Sequence, residues 1–174
     1  VERAKRFLED LLRFAKPRPL TLRELDVRDS VLRTCDLSNV RVQRCSIRRV
    51  ELLQSRLVGF AASESDLQDV RATGGTMMLA SIEQCRLQRV VFDGVNLRDA
   101  SFAGSTLHDV AFLGCDLAGA DFREARLKDC RIGGGTLDGV VGVGSLRGVA
   151  MPWPDLVASA GALAAALGIE VADD

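Results

Sequence analysis

The sequence has no tyrosine, one histidine and one tryptophan, and of its 23 basic residues only Lys5, Lys16 and Lys128 are lysines. A surface without interleaved aromatics lacks the platforms on which bases stack, so direct binding of nucleic acid is not expected. Acid–base catalysis would fall to His108 alone, and a general base needs a nucleophile or a substrate pocket within hydrogen-bond reach. No basic segment followed by an apolar run opens the chain, and no stretch approaches about 18 uninterrupted apolar residues. Neither export nor membrane insertion is indicated, which leaves the cytoplasm as the expected compartment. The preference for arginine over lysine, beside abundant alanine, glycine and valine, suits a GC-rich bacterial genome.

Five cysteines are present, but none is spaced as C-x-x-C, so neither a metal site nor a disulfide framework is predicted. "VVGVGSLRG", residues 140–148, holds Gly142, Gly144 and Gly148. It resembles a dinucleotide loop only superficially, because Arg147 stands where that loop needs glycine and no strand–helix alternation surrounds it. No cofactor is expected. Net charge is -1, yet residues 1–60 carry 14 Lys/Arg against 8 Asp/Glu and the remainder 9 against 16, an axial asymmetry able to orient a charged partner.

What the chain does have is a period of five. Every fifth residue from Leu22 to Leu137 is Leu, Val, Ile, Met, Phe or Ala, and none is polar. Two residues before each lies a second column of mostly small side chains, among them Ser30, Ser55, Ser65, Ala80, Ala100, Ser105 and Ala120. All five cysteines, Cys35, Cys45, Cys85, Cys115 and Cys130, fall on it. Five is the stride of neither a strand nor a helix; a short extended segment plus a turn, with both columns inward, accounts for it.

Copies such as Ala100-Ser101-Phe102-Ala103-Gly104 and Ala120-Asp121-Phe122-Arg123-Glu124 resemble the pentapeptide-repeat proteins: a small residue, a small polar one, Leu or Phe, then two variable positions. The resemblance extends over about residues 20 to 140. It implies a right-handed, four-sided β-helix with four repeats per 20-residue coil, an all-β solenoid of about six coils. The phenylalanines test that coil length, since Phe92 and Phe112, and Phe102 and Phe122, lie 20 apart and would stack on opposite walls, with leucine ladders on the other two. At the interstrand spacing the rod would be about 29 Å long.

Three regions are expected: an amphipathic capping helix at 1–16, the β-helix at 20–150, and a C-terminal helix and tail at 151–174. The first places Ala4, Phe7, Leu8, Leu11, Leu12 and Ala15 on one face before Pro17 and Pro19 stop it. The last reads as a helix from about Asp155 to Leu167, with an apolar stripe of Leu156, Val157, Ala160, Leu163, Ala164 and Leu167; it either caps its own coil or pairs two subunits. The third coil is thin, with Ala62 and Ala72 in large-residue positions, and Phe60 and Met77 are placed to repair it. The repeat fails at Gly142 and resumes one residue early at Leu146, a slipped register as the rod ends.

On the outside, Leu53, Val58, Met78, Leu79, Val91 and Leu113 fall on two adjoining walls and form the candidate contact surface. The expected function is a non-enzymatic scaffold that recognises an unidentified protein through rigid outer faces. The alternative implied by the resemblance is DNA mimicry: some members protect DNA gyrase from quinolones through an acidic, rod-shaped dimer. Charges that nearly cancel, and Arg28, Arg44, Arg48 and Arg49 on the first coils, depart from that pattern.

Overall fold

The computed structural model describes residues 20–170; the N-terminal capping helix expected at 1–16 lies outside them. The chain winds as a β-solenoid of about six four-walled turns, every rung parallel to the next. The first wall is β1 (Thr21–Arg23), β3 (Arg41–Gln43), β5 (Ala61–Ser63) and β7 (Ser81–Glu83), extended by single bridged residues Ser101, Asp121 and Val141. The second and third walls share long strands that turn the corner between them: β2 (Asp26–Arg33), β4 (Ser46–Leu53), β6 (Asp66–Thr73), β8 (Arg86–Asp93) and β9 (Thr106–Leu113), closed by β10 (Arg126–Lys128) and β11 (Arg131–Gly133). The fourth wall is a file of single bridges through Asp36, Arg56, Thr76, Asn96, Asp116 and Thr136.

Each strand pairs with its counterpart one full coil on, as in Leu87↔Leu107 and Phe92↔Phe112, so identical positions of successive coils stack. Phe92 lies over Phe112 with ring centroids 5.2 Å apart and planes within 8°, and Phe102 over Phe122 at 5.3 Å and 10°. The two files meet edge to face across the interior, as with Phe102 and Phe112 at 5.4 Å. Offset stacks and edge-to-face contacts are the two favourable aromatic geometries, and here each ring makes both. Leu97, Leu107, Leu117, Phe102, Phe112 and Phe122 are wholly excluded from solvent.

The corners have a stricter requirement than the walls. Every fifth residue from Glu24 to Gly139 has a positive φ, between 48° and 70°, and at many of these corners the N–H donates to the next coil, as Thr34 does to the Leu53 carbonyl at 2.8 Å. The left-handed conformation costs an L-residue about 1–2 kcal/mol, which explains why eight of these positions are glycine and five aspartate. Leu79 (φ 57°) is the only aliphatic residue among them.

The small column is not only small. The Cys35, Cys45 and Cys85 N–H groups donate to the Oγ of Ser55, Ser65 and Ser105, one coil on, at 3.2, 3.0 and 2.9 Å. Serine in this column therefore satisfies a backbone donor that the wall ladders leave over, and a buried orphan donor is costly.

The expected register slip is present. Asp121 pairs with Val141 at the regular offset of 20, but Arg131 pairs with Ala150 at 19. A 3-10 turn at Val143–Leu146 takes up the difference, with Val143 and Leu146 packed on the core. The chain then enters α1 (Trp153–Ala166), which starts two residues before the expected position because Pro152 and Pro154 suit a helix's first turn.

Helix α1 crosses the end of the solenoid: Ser159 is buried and Leu163 packs on the core. Its first-turn Asp155 accepts a hydrogen bond from the Gly134 N–H at 2.8 Å, supplying the oxygen that a further coil would have supplied to that corner. Asp155→Ala is expected to lower stability by about 1–2 kcal/mol, measured by urea unfolding, whereas Asp155→Asn, which keeps an acceptor, should recover much of the loss.

Candidate interaction surface

Among the described residues the interior is almost wholly apolar, with serines and thiols the polar exceptions. In the first coils the core is loose, and a cavity of about 100 Å³ runs between Leu20 and Phe92, lined by apolar side chains and the Cys45 thiol. Ala72 forms part of its wall and Phe60 and Met77 are buried against it, so the thin third coil is only partly repaired by Phe60 and Met77.

The thiols are structural. Cys45, Cys85, Cys115 and Cys130 are buried, and each Sγ lies within hydrogen-bond range of the carbonyl two residues earlier, as Cys85 of Glu83 at 3.3 Å. Burial pushes the Cys85 thiol up to about 11, and raises Cys115 and Cys130 in the same direction. Since the thiolate is the reactive form, iodoacetamide at about pH 8 should alkylate Cys85 at least about 100-fold more slowly in the folded than in the unfolded chain. Quantitative mass spectrometry of the labelled peptide reads the ratio. Among the described residues no group of three or more His, Cys, Asp or Glu is arranged to hold a metal.

His108 projects from the second wall, half-exposed, and pairs with Asp129 at 3.3 Å. It belongs to a lattice of cross-coil pairs on that side of the rod. At the corner of the second and third walls Arg49 pairs with Asp29, and Arg89 binds both carboxylate oxygens of Asp69, at 2.5 and 2.9 Å. The arginines, through these hydrogen bonds, hold both carboxyls below their ordinary value. The alternation Asp29, Arg49, Asp69, Arg89, Asp109 runs up one corner, so a slip of one coil would set like charges against each other.

The six outward apolar residues read from the sequence do not form one patch. Val58 and Met78 are stacked neighbours on the fourth wall, with Leu79 beside them at its corner with the first. Leu53 and Leu113 share a file on the third wall but are separated by Thr73 and Asp93, and Val91 lies in a different file of that wall. Leu79 is 59% exposed and Leu113 37%; Leu53, Val58, Met78 and Val91 are half-buried. Val31 and Val141 are further exposed apolar positions that the sequence reading passed over.

The C-terminal stripe divides similarly. Of Leu156, Val157, Ala160, Leu163, Ala164 and Leu167, only Leu163 packs on the core and Ala164 is half-buried; the other four face solvent. Trp153, 74% exposed, stands on that outer face. The inward side of α1 is instead Asp155, Ser159, Ala162 and Leu163, a polar–apolar mixture that a hydrophobic stripe search does not find.

Charge also separates by wall. From Ala61 to Gly139 the fourth and first walls carry seven carboxylates, Glu64, Glu83, Asp99, Asp116, Asp121, Glu124 and Asp138, against two arginines. Both arginines are already paired, Arg98 with Asp116 and Arg123 with Asp121. The second and third walls of the same coils hold five carboxylates against six bases. The axial asymmetry of the sequence is thus concentrated on one side of the rod.

Residues 73–141 match the family model described as a pentapeptide repeat region. Similar solved structures include the pentapeptide repeat protein Rfr23 from the cyanobacterium Cyanothece (16% identity, 79% of this chain and 100% of that one, TM-score 0.37). Another is trypsin-treated QnrB1, a plasmid-mediated fluoroquinolone resistance protein (17%, 90% and 100%, TM-score 0.34). A pentapeptide repeat protein from the Arabidopsis thaliana thylakoid lumen is a third (21%, 67% and 79%, TM-score 0.37). No curated protein matches.

Proposed function

The chain carries a pentapeptide-repeat region, and from that premise we propose that it is a non-enzymatic scaffold binding another protein through the outer walls of the solenoid. One observation carries the reading: the inward side chains are almost all apolar, with buried serines and thiols engaged to the backbone. Recognition therefore falls to side chains held at fixed spacing by the coil ladders. A surface ordered before association loses little conformational entropy on binding. The test is capture on the immobilised full chain, with Leu79→Gly, Leu113→Ser and Val91→Thr as wall-specific controls. A partner retained in stoichiometric amount and lost with one of these variants supports the scaffold. Equal retention by all of them and by an unrelated solenoid contradicts it.

A second reading is favoured by the outer face of α1, where Trp153, Leu156, Val157 and Leu167 are exposed together: two copies pair through it. Because α1 also closes its own coil, point variants are cleaner than deletion. Val157→Glu with Leu167→Glu should convert a dimer to a monomer in sedimentation velocity without loss of fold. DNA mimicry toward gyrase has less support, because Arg23, Arg41, Arg44, Arg48 and Arg56 lie on the first two coils with no salt bridge shorter than 3.8 Å among the described residues. It would require inhibition of supercoiling by the purified chain. No helix among the described residues is long and apolar enough to cross a membrane.

A further inference from the structure

We infer that the corner between the fourth and first walls, centred on Leu79, docks a cationic protein segment that carries an apolar anchor residue. The inference rests on the scaffold reading and names the partner's chemistry. Three features coincide at this corner. Leu79 adopts a left-handed conformation (φ 57°) that its own file elsewhere gives to Asn39, Gly59, Asp99, Gly119 and Gly139, and it is 59% exposed. A leucine there is unfavourable to the isolated coil on both counts, and an apolar contact from outside reverses the second. Met78 and Val58, stacked next to it, extend the apolar ground onto the fourth wall.

Charge complementarity selects the occupant. Asp99 lies one coil on at the same corner, about 4.8 Å along the rod axis from the Leu79 rung, and Glu83 lies four residues on along the first wall. Neither holds an ion pair among the described residues, and from Ala61 to Gly139 the only bases on these two walls, Arg98 and Arg123, are paired with Asp116 and Asp121. An acidic segment would meet like charge at Glu83 and Asp99, with Arg56, one coil before Thr76 on the fourth wall, the nearest base outside the paired ones. An apolar side chain flanked by arginine or lysine would cover Leu79 and Met78 and supply the missing counter-charges, with the salt dependence expected of exposed pairs.

Three fluorescent peptides of about twelve residues test this on the full chain by anisotropy: repeats of Lys-Leu-Arg, of Lys-Gly-Arg and of Glu-Leu-Gln. The Lys-Leu-Arg peptide is expected to bind, and to weaken at least about tenfold between ~50 and ~300 mM salt. Leu79→Gly, which suits the backbone there, should weaken it at least about fivefold while the melting temperature stays level or rises. Glu83→Gln with Asp99→Asn should weaken it and flatten the salt dependence, whereas Glu51→Gln on the third wall should do neither. Unchanged affinity in Leu79→Gly, equal binding of the Lys-Gly-Arg peptide, or no binding of any peptide overturns the proposal. Preferential binding of Glu-Leu-Gln that is lost in Leu79→Gly also overturns it, but leaves the scaffold reading standing with a partner of different chemistry.

Discussion

Truncating Phe102 to alanine is expected to cost about 3–5 kcal/mol, a large share of a single domain's stability. The ring is wholly buried, stacks on Phe122 at 5.3 Å and meets Phe92 and Phe112 edge-on at 6.0 and 5.4 Å. Its neighbours are rungs of continuous parallel ladders on both sides, so the backbone cannot collapse into the space vacated. Urea unfolding followed by circular dichroism measures the loss as a shift in midpoint. Leu52→Ala is the informative contrast, because Leu52 borders the cavity of the first coils and is already half-buried. Its cost should fall to about 2 kcal/mol, the low end for large-to-small replacements. Equal costs at the two sites would mean that the core is uniformly packed, contrary to the structure.

The second large effect concerns the backbone. Gly75→Ala should destabilise by about 3–4 kcal/mol, combining the left-handed penalty with overpacking. Gly75 has φ 80°, and a Cβ built on it would lie against the Ser55 backbone of the preceding coil, within 2.8 Å of the Ser55 nitrogen. Gly94 separates the two contributions, since it has φ 62° but open space where a Cβ would stand. Gly94→Ala should therefore cost about 1–2 kcal/mol, the conformational penalty alone. Two equally small losses would show that successive coils are not in backbone contact at Ser55, and the tight winding would be wrong there.

These two sites also show what the sequence makes legible and what it conceals. Phe92, Phe102, Phe112 and Phe122 are readable because a side chain's inward direction repeats with the fold, so large apolar residues at a stride of five expose the coil and even the facing stacks. The corner requirement at Gly94 and Leu79 leaves a weaker trace. Glycine and aspartate recur at that position, but Arg44, Arg49, Glu64 and Leu79 occupy it too, because a coil ladder on both sides can hold an L-residue in the left-handed region. The serine column reads as small, while its bonds to the N–H one coil away depend on winding the chain.

The outer surface is less legible for a different reason. Whether Leu53, Val58 and Leu113 touch depends on wall and coil together, and whether a carboxylate such as Asp99 is neutralised depends on neighbours a whole coil away along the chain. The C-terminal stripe shows a similar limit: Leu163 finds the core, yet Leu156, Val157 and Leu167 remain outside, since the helix meets the coil end along the Ser159 side rather than along its most apolar side.

The measurement that bears most directly on the winding is distance along the rod by pulsed electron paramagnetic resonance. Nitroxides at cysteines replacing Arg28 or Arg48, each paired with one replacing Lys128, occupy a single file of the second wall, with Cys35→Ser as background. Five parallel steps separate the first pair and four the second, giving about 24 Å and about 19 Å. A difference of one strand spacing is the predicted result. A difference of about 30 Å, as along a continuous helix, or no difference at all, would contradict a chain wound into stacked four-walled coils.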